Sequence, residues 1–185
     1  MDRNPKDSRQ RYTKESLYAS FLELLDEKAV SDITVIEICE RAGVSRKTFY
    51  KYYSDQFALL MGMQNDMFED YRDLISTEEP DIFRIAPTLI NWAGRNRVLV
   101  KAIFANRGEG NFIDRMCDDL FSIYRESWEA ANPAMDPQNV EALFYFVVSG
   151  LVGLVRHWLV DRPEWTVEEV TTRAFALMQL ADPNR

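Results

Sequence analysis

The residues best suited to bind a ligand lie in one short stretch, residues 45–53, which we call the reading segment. It contains Arg46, Lys47 and Lys51 among hydroxyl-bearing and aromatic side chains. Between Arg41 and Ser54 the chain has four basic residues and no acidic one. Such a run suits a polyanion, because neutralising phosphates releases condensed counterions.

Turn and cap signals predict how this segment is positioned. Thr34 followed by Glu37 is the pattern of a capping box, which predicts a helix that begins there. Gly43 can end that helix in a left-handed conformation, and Ser45 can cap the next one. Two short helices joined by a glycine turn are typical of a helix-turn-helix unit.

A helical wheel divides the reading segment into two faces. Phe49, Tyr52 and Tyr53 fall on one side, where we expect packing. The N-terminal residues of a recognition helix contact base edges, so Arg46 and Lys47 are expected to read guanine. Tyr50 and Lys51 are expected to contact phosphates.

Residues 38–60, which include Ala-Gly-Val-Ser and Thr-Phe-Tyr, resemble the signature of the TetR family of transcriptional regulators. Residues 12–25 are similar to that family's first helix, so the resemblance covers about the first third of the chain. It implies a phosphate contact for Thr34 and Tyr50, and it adds Thr48 to the base-edge region. It also brings Tyr52 into the DNA-binding set, although the wheel makes that residue equally a packing residue.

Two positions depart from the family pattern. The family's phosphate-binding lysine at the start of the fourth helix is Gln56 here, preceded by Asp55. This departure puts one phosphate contact per subunit in doubt, but not the fold. Cys39 stands where alanine is usual and is expected to be buried without a functional role.

Composition and charge fit an ordinary globular protein. The chain has 185 residues, of which 46% are hydrophobic. Residues 1–56 have ten basic and ten acidic residues, so the whole net charge of −8 lies in residues 57–185. The two cysteines lack a paired spacing, which favours a cytoplasmic protein. The longest apolar run, residues 142–155, is shorter than the roughly 18–20 residues needed to span a bilayer, so no membrane is expected.

The apolar periodicity predicts an all-α fold of about nine helices. We expect a three-helix DNA-binding domain over residues 1–54 and a helical regulatory and dimerisation domain over residues 55–185. A helix over residues 55–75 connects them. The later helices are predicted near residues 82–93, 95–106, 111–131, 137–161 and 166–181.

The last two helices are predicted to form a four-helix interface with a second copy, because the first of them is apolar on several sides. The TetR resemblance implies the same, and residues 150–158 show a short similarity to activators of dihydroxyacetone kinase genes. A helix simply buried inside one chain remains the alternative. The expected interface residues are Phe144, Val148, Leu151, Val155, Val170, Ala174 and Leu177.

The second domain is rich in large aromatic side chains that could line a pocket for a small-molecule effector. Arg156 and His157 are the polar side chains that could orient an anionic or carbonyl ligand, and the acidic excess hints equally at a cationic one. The expected pocket residues are Trp92, Phe104, Met116, Phe121, Tyr124, Trp128, Phe146 and Trp158.

An enzyme is the competing class, but His157 is the chain's single histidine and no nucleophile or metal motif accompanies it. We therefore expect no catalytic residue, metal or cofactor. A further alternative is an adaptor protein that has kept the three-helix N-terminal domain but lost DNA binding. Gln56 supports this alternative. The favoured hypothesis is a dimeric repressor that binds palindromic double-stranded DNA and responds to an effector.

Overall fold

The computed structural model describes residues 5–76, 81–105, 112–131 and 133–181, and in these residues every regular element is helical. Nine α-helices and one short 3-10 helix are present there. The first four α-helices are α1 (Pro5–Glu27), α2 (Val35–Ala42), α3 (Arg46–Phe49) and α4 (Gln56–Ser76), with the 3-10 helix at Val30–Asp32. The others are α5 (Ile82–Arg95), α6 (Arg97–Ala105), α7 (Phe112–Ala131), α8 (Pro137–Asp161) and α9 (Val167–Ala181).

These bounds agree with the predicted all-α fold and with most predicted helices to within a few residues. The agreement has local causes. Asp136 accepts a hydrogen bond from the Gln138 backbone at 2.8 Å, which caps the start of α8. Thr166 and Glu169 form a capping box at the start of α9. The 3-10 helix was not predicted.

Backbone contacts divide the chain into two compact units, Met1–Met67 and Phe68–Arg185. The division falls inside α4 rather than at its start. The core of the first unit is formed by buried apolar side chains of α1, α2, α3 and α4 and of the segment between α1 and α2. Its most buried members are Leu17, Phe21, Ile33, Ile38, Phe49 and Leu59.

The second unit packs α8 against α6, α7 and α9, and α9 also contacts α5. Phe144 of α8 lies 5.3 Å from the Trp128 ring and 5.2 Å from the Phe121 ring, both on α7. Trp158 packs against Gly94 of α5 so closely that a Cβ there would lie 2.8 Å from the indole. The Trp158 indole donates to the Trp165 carbonyl at 2.8 Å.

The α8 helix is long and apolar enough, by length and composition alone, to cross a membrane. The apolar run over residues 142–155 is only part of this helix, which continues on both sides of the run. A core helix of a globular protein passes the same test. Phe144, Val148 and Leu159 on α8 are buried inside the second unit.

Candidate nucleic-acid interface and internal cavity

Thr34 begins α2 as the cap that the sequence predicts. Its hydroxyl oxygen accepts from the Glu37 backbone at 3.3 Å, while the Thr34 backbone donates to the Glu37 carboxylate at 2.9 Å. The hydroxyl also donates to that carboxylate at 2.8 Å. Thr34 is exposed at the helix start, but its own proton is already engaged by Glu37.

The turn after α2 is built as predicted. Gly43 has a φ of 64°, in the left-handed region that favours glycine. Ser45 then accepts from the Thr48 backbone at 3.1 Å, and the two hydroxyls lie 2.8 Å apart. The turn therefore fixes where the reading segment begins, and Thr48 is half-buried within it.

The reading segment has a buried side and an exposed side. The Phe49 side chain is fully buried, whereas Arg46, Lys47 and Lys51 are exposed. Tyr50 packs edge-on against Phe49, with 5.6 Å between ring centroids, yet 57% of it remains exposed. The buried aromatic ring thus supports a surface that presents cations and a phenol to solvent.

Two details of this segment differ from the expectation. The α-helix itself has only four residues, because the following amides of Lys51 and Tyr52 donate to carbonyls three residues back. The wheel places Tyr52 with the packing residues and the family pattern places it with the DNA contacts; it is 38% exposed, and only Phe49 and Tyr53 turn inward. Tyr52 therefore lies on the accessible side.

Arg41 does not belong to the exposed cationic surface. Its guanidinium lies 2.7 Å from the Glu27 carboxylate and 3.8 Å from that of Glu23, both on α1. The hydrogen bond from Arg41 lowers the pKa of Glu27. Arg46, Lys47 and Lys51 have no ion-pair partner within the part of the chain that the structure describes. Of the four basic side chains near the turn, three therefore carry a positive charge that is not paired with a carboxylate among the described residues.

An unpredicted contact holds the end of the reading segment against α1 and α4. The Tyr53 hydroxyl donates to the Tyr18 hydroxyl at 3.2 Å, and a Cβ at Gly62 would lie 2.8 Å from the Tyr53 ring. Next to this contact, Lys14 pairs with Asp66 at 2.6 Å. Burial raises the pKa of Tyr18. The signal in the sequence was Gly62, because a glycine inside a helix commonly has a packing reason.

Gln56, which replaces the family's phosphate-binding lysine, follows a residue that caps α4. Asp55 accepts from the Ala58 backbone at 2.8 Å and so caps α4, which begins at Gln56. A negatively charged side chain at a helix N-terminus is stabilised by the positive end of the helix dipole. Asp55 therefore has a local structural role at the position just before the missing lysine.

The Glu37 carboxylate ties α2 to Lys28, the residue that follows α1, which gives a pH-dependent prediction. Lys28 donates to it at 2.6 Å, and this bond together with the Thr34 cap lowers the pKa of Glu37 from 4.5 to about 2. The carboxylate therefore contributes stability above about pH 4.5, which is lost as the pH falls toward 2. We expect Glu37→Gln to unfold at lower denaturant concentration than the natural chain at pH 7, with the gap closing below pH 4.5.

Urea titrations across pH 2–7 measure this gap. The matched control is Glu40→Gln, since Glu40 is exposed on the same helix and has no ion pair among the described residues. Identical pH profiles for the two variants would refute the role of Glu37.

The second unit has a partly open cavity of about 80 Å³ between α5, α6, α7 and α8. Three of the predicted pocket residues, Trp92, Phe104 and Met116, line it. Trp92 stacks on Phe112, another lining residue, with 6.4 Å between centroids and 11° between ring planes. Ala86 and Ala93 also line the cavity, and their small side chains leave room for it. They were not among the predicted pocket residues.

The other predicted pocket residues lie elsewhere. Phe121, Tyr124 and Trp128 belong to the α7 side of the core, away from this cavity's wall. Trp158 is buried against Gly94, and Phe146 is 72% exposed on the outer face of α8. Their assignment to one pocket is corrected, because aromatic content alone does not distinguish core, surface and cavity wall.

The predicted interface residues also need correction. Phe144, Val148, Val170 and Ala174 are buried inside one chain, so they are unavailable to a second copy. Leu151 and Val155 are half-buried and line the cavity. Only Leu177 is largely exposed. The exposed apolar groove of α8 and α9 includes Phe146, Gly150, Leu177 and Leu180, and Leu151 lines both this groove and the cavity.

Metal and thiol chemistry find no support in the described residues. No cluster of three or more His, Cys, Asp or Glu side chains that could hold a metal occurs in those parts of the chain. Cys39 and Cys117 are buried and free, and burial raises the pKa of both thiols. His157 is exposed and lies 2.9 Å from Asp161.

Family models match most of the chain. Residues 17–61 match the model described as bacterial regulatory proteins, tetR family, and residues 81–180 match a transcriptional regulator C-terminal region. A curated relative, the uncharacterized HTH-type transcriptional regulator YxbF of Bacillus subtilis, is 34% identical over 83 residues. That match covers 45% of this chain and 20% of the relative, so the chain spans about a fifth of that protein's length.

Solved structures share the fold over nearly the whole chain. A TetR-family regulator from Syntrophomonas wolfei has a TM-score of 0.67 at 17% identity, covering 93% of this chain and 96% of that one. The dihydroxyacetone kinase operon activator DhaS has a TM-score of 0.63 at 18% identity, with 91% and 94% covered. At these identities the likeness concerns the fold alone.

Proposed function

Because this chain belongs to the TetR family of bacterial transcriptional regulators, we propose that it is a dimeric repressor of a near-palindromic operator. The family makes it a DNA-binding regulator and not an enzyme. The observation that carries the finer proposal is the reading segment, in which Arg46, Lys47 and Lys51 are exposed above the buried Phe49. We place its action in the cytoplasm, where its DNA would be.

Each exposed side chain has a proposed role. Arg46 and Lys47, at the start of the segment, contact base edges in the major groove. Tyr50 and Lys51 contact phosphates, which hold the segment in register. The family pattern adds Thr34, Thr48 and Tyr52 as further contacts, and the exposure of Tyr52 supports its inclusion.

The exposed groove of α8 and α9 supports the proposed dimer. Phe146 and Leu180 are 72% and 79% exposed, which is unusual for such large apolar side chains unless a partner covers them. Gly150 and Gly153 have no atom near their Cβ positions, so a second helix can approach closely. A twofold axis there presents two reading segments to successive major grooves, about 34–36 Å apart.

A small-molecule effector in the cavity would complete the regulator. A ligand that favours one arrangement of the dimer changes operator affinity by its differential binding, typically about 1–3 kcal/mol. The cavity between α5, α6, α7 and α8 supports this part of the proposal. The α4 helix, which runs from the reading segment into the second unit, is the proposed route of coupling.

Gel-shift titration against the DNA upstream of the protein's own gene, repeated across salt concentrations, tests the proposal. A regulator gives a sequence-specific complex whose affinity falls steeply with salt. The alternative is an adaptor that keeps the head without specific binding, favoured by Gln56 and the acidic cap at Asp55. An adaptor would not distinguish the upstream fragment from random duplex.

Single substitutions separate base reading from phosphate contact. Arg46→Ala should cost about 1–3 kcal/mol of binding at the natural site and relax the preference for particular base pairs. Tyr50→Phe should weaken all sites about equally, because a phosphate contact carries no sequence information. Binding of both variants to the operator and to single-base variants of it measures the difference.

Lys101→Ala is the matched control, since Lys101 is an exposed cation of the second unit. It should leave operator affinity and preference unchanged. Equal losses for Arg46→Ala on specific and scrambled duplexes would refute its role in base reading.

A further inference from the structure

The wall of the cavity is uniformly apolar within the described residues. Helices α5, α6, α7 and α8 contribute aliphatic, aromatic and methionine side chains to it, and none of these carries a charge. Trp92 is the only described lining residue whose side chain has an N–H group. A ligand here would find almost no side-chain partner for a polar atom.

The lining residues' backbone offers little compensation. Most described residues of the wall lie in helix interiors, where amide and carbonyl groups are hydrogen-bonded to each other. Ile82 and Phe112 begin α5 and α7, so their amides have no acceptor within the helix. The Tyr71 hydroxyl, close to the wall, already donates to the Met116 carbonyl at 3.0 Å. Apart from the helix ends, hydrogen bonds within the helices therefore occupy the backbone groups that could otherwise bind a ligand's oxygen or nitrogen.

The charged side chains considered from the sequence do not line this space. Arg156 and His157 are exposed on α8, and His157 faces Asp161 at 2.9 Å. The neighbouring residues Val152 and Val155 of the same helix do line the cavity. The face of α8 toward the cavity is thus apolar, while its charged residues point to solvent.

From this geometry we propose that the cavity binds an uncharged apolar ligand and rejects charged molecules of the same shape. An ion would lose its hydration without gaining a partner, which costs far more than burying hydrocarbon gains. A dry cavity of about 150 Å³ in another protein holds benzene. A single aromatic ring is the probe chosen here, and its binding requires the 80 Å³ space to expand to nearly twice its volume.

Binding of this ligand does not depend on the proposed function, but its role as the effector does. Binding itself is tested on the full-length protein without DNA, using toluene, benzoate and benzylammonium, which share a ring and differ in charge. Toluene should raise the thermal midpoint and bind at least about 100-fold more tightly than either ion. Comparable binding of an ion, or no binding of toluene, would overturn the proposal.

Cavity-filling variants locate the binding. Ala86→Leu adds a branched side chain to the wall and should abolish the toluene-dependent shift. Val152→Leu fills the same space from α8 and serves if Ala86→Leu does not fold. Ala130→Leu, at an exposed position of α7, is the control and should respond like the natural chain. Toluene binding that survives in folded filled variants would contradict this location.

A separate gel shift with toluene distinguishes the two hypotheses. Loss of the operator complex in the natural chain, but not in a filled variant, supports this ligand class as effector. Toluene binding without any specific DNA complex would remove the proposed function and leave the ligand class standing. A specific DNA complex without toluene binding would remove the proposed ligand class and leave the proposed function standing.

Discussion

Phe49→Ala should unfold the N-terminal unit more easily and abolish specific binding to the operator. Phe49 is fully buried and contacts Tyr50 and Tyr53. Truncating a buried phenylalanine typically costs about 3–5 kcal/mol, through lost burial and the cavity that remains. This is a large fraction of the stability of a small domain. Denaturant unfolding and hydrogen exchange of residues 9–67 measure the loss.

Tyr50→Ala is the matched control for this prediction, because it removes the adjacent aromatic ring from the exposed side. Tyr50 is 57% exposed, so its truncation should change the free energy of unfolding little, by about 0.5 kcal/mol. It should still weaken DNA binding through the lost phosphate contact. A stability loss equal to that of Phe49→Ala would show that the buried ring is not what holds the segment.

Leu177→Asp should convert the proposed dimer to monomers and lower operator affinity by about 100-fold or more. The side chain is 53% exposed in the groove of α8 and α9, and a carboxylate there would be buried against its partner without a cation. Two linked DNA-binding domains bind about 10²–10⁴-fold more tightly than one, and a monomer loses that advantage. Sedimentation and gel-shift titration measure the two effects.

Ile123→Asp tests whether any exposed apolar residue would behave this way. Ile123 is 42% exposed on α7 and does not line the groove. The variant should remain dimeric and bind the operator normally. If Leu177→Asp stays dimeric, or if Ile123→Asp dissociates instead, the interface is elsewhere.

The local features of the candidate DNA-binding surface were predictable from the sequence, because each depends on residues close together in the chain. The capping box at Thr34, the left-handed Gly43 and the cap at Ser45 were all confirmed. The start of α8 near residue 137 was also predicted, and in the structure Asp136 caps it and Pro137 occupies its first turn. Hydrophobic periodicity located the long helices to within a few residues.

The sequence did not determine which side of α8 is buried. Apolar residues surround this helix, so periodicity gives it no single inward direction. Contacts with α6, α7 and α9 bury Phe144 and Val148 and leave Phe146 outside. Four of the predicted interface residues therefore belong to the core, whereas Leu151 and Leu177 line the exposed groove, which became visible only in the folded unit.

The amino-acid sequence by itself determined the helical class, the caps and turn around the reading segment, and the family. These follow from short-range hydrogen bonding and from residue spacing along one helix. Only the tertiary structure decided that Arg41 is neutralised by Glu27, that Tyr52 is exposed, and that three of the predicted aromatic and methionine residues share one cavity. Those outcomes depend on which distant helices pack together, since a side chain's partners are set by the surfaces that meet it.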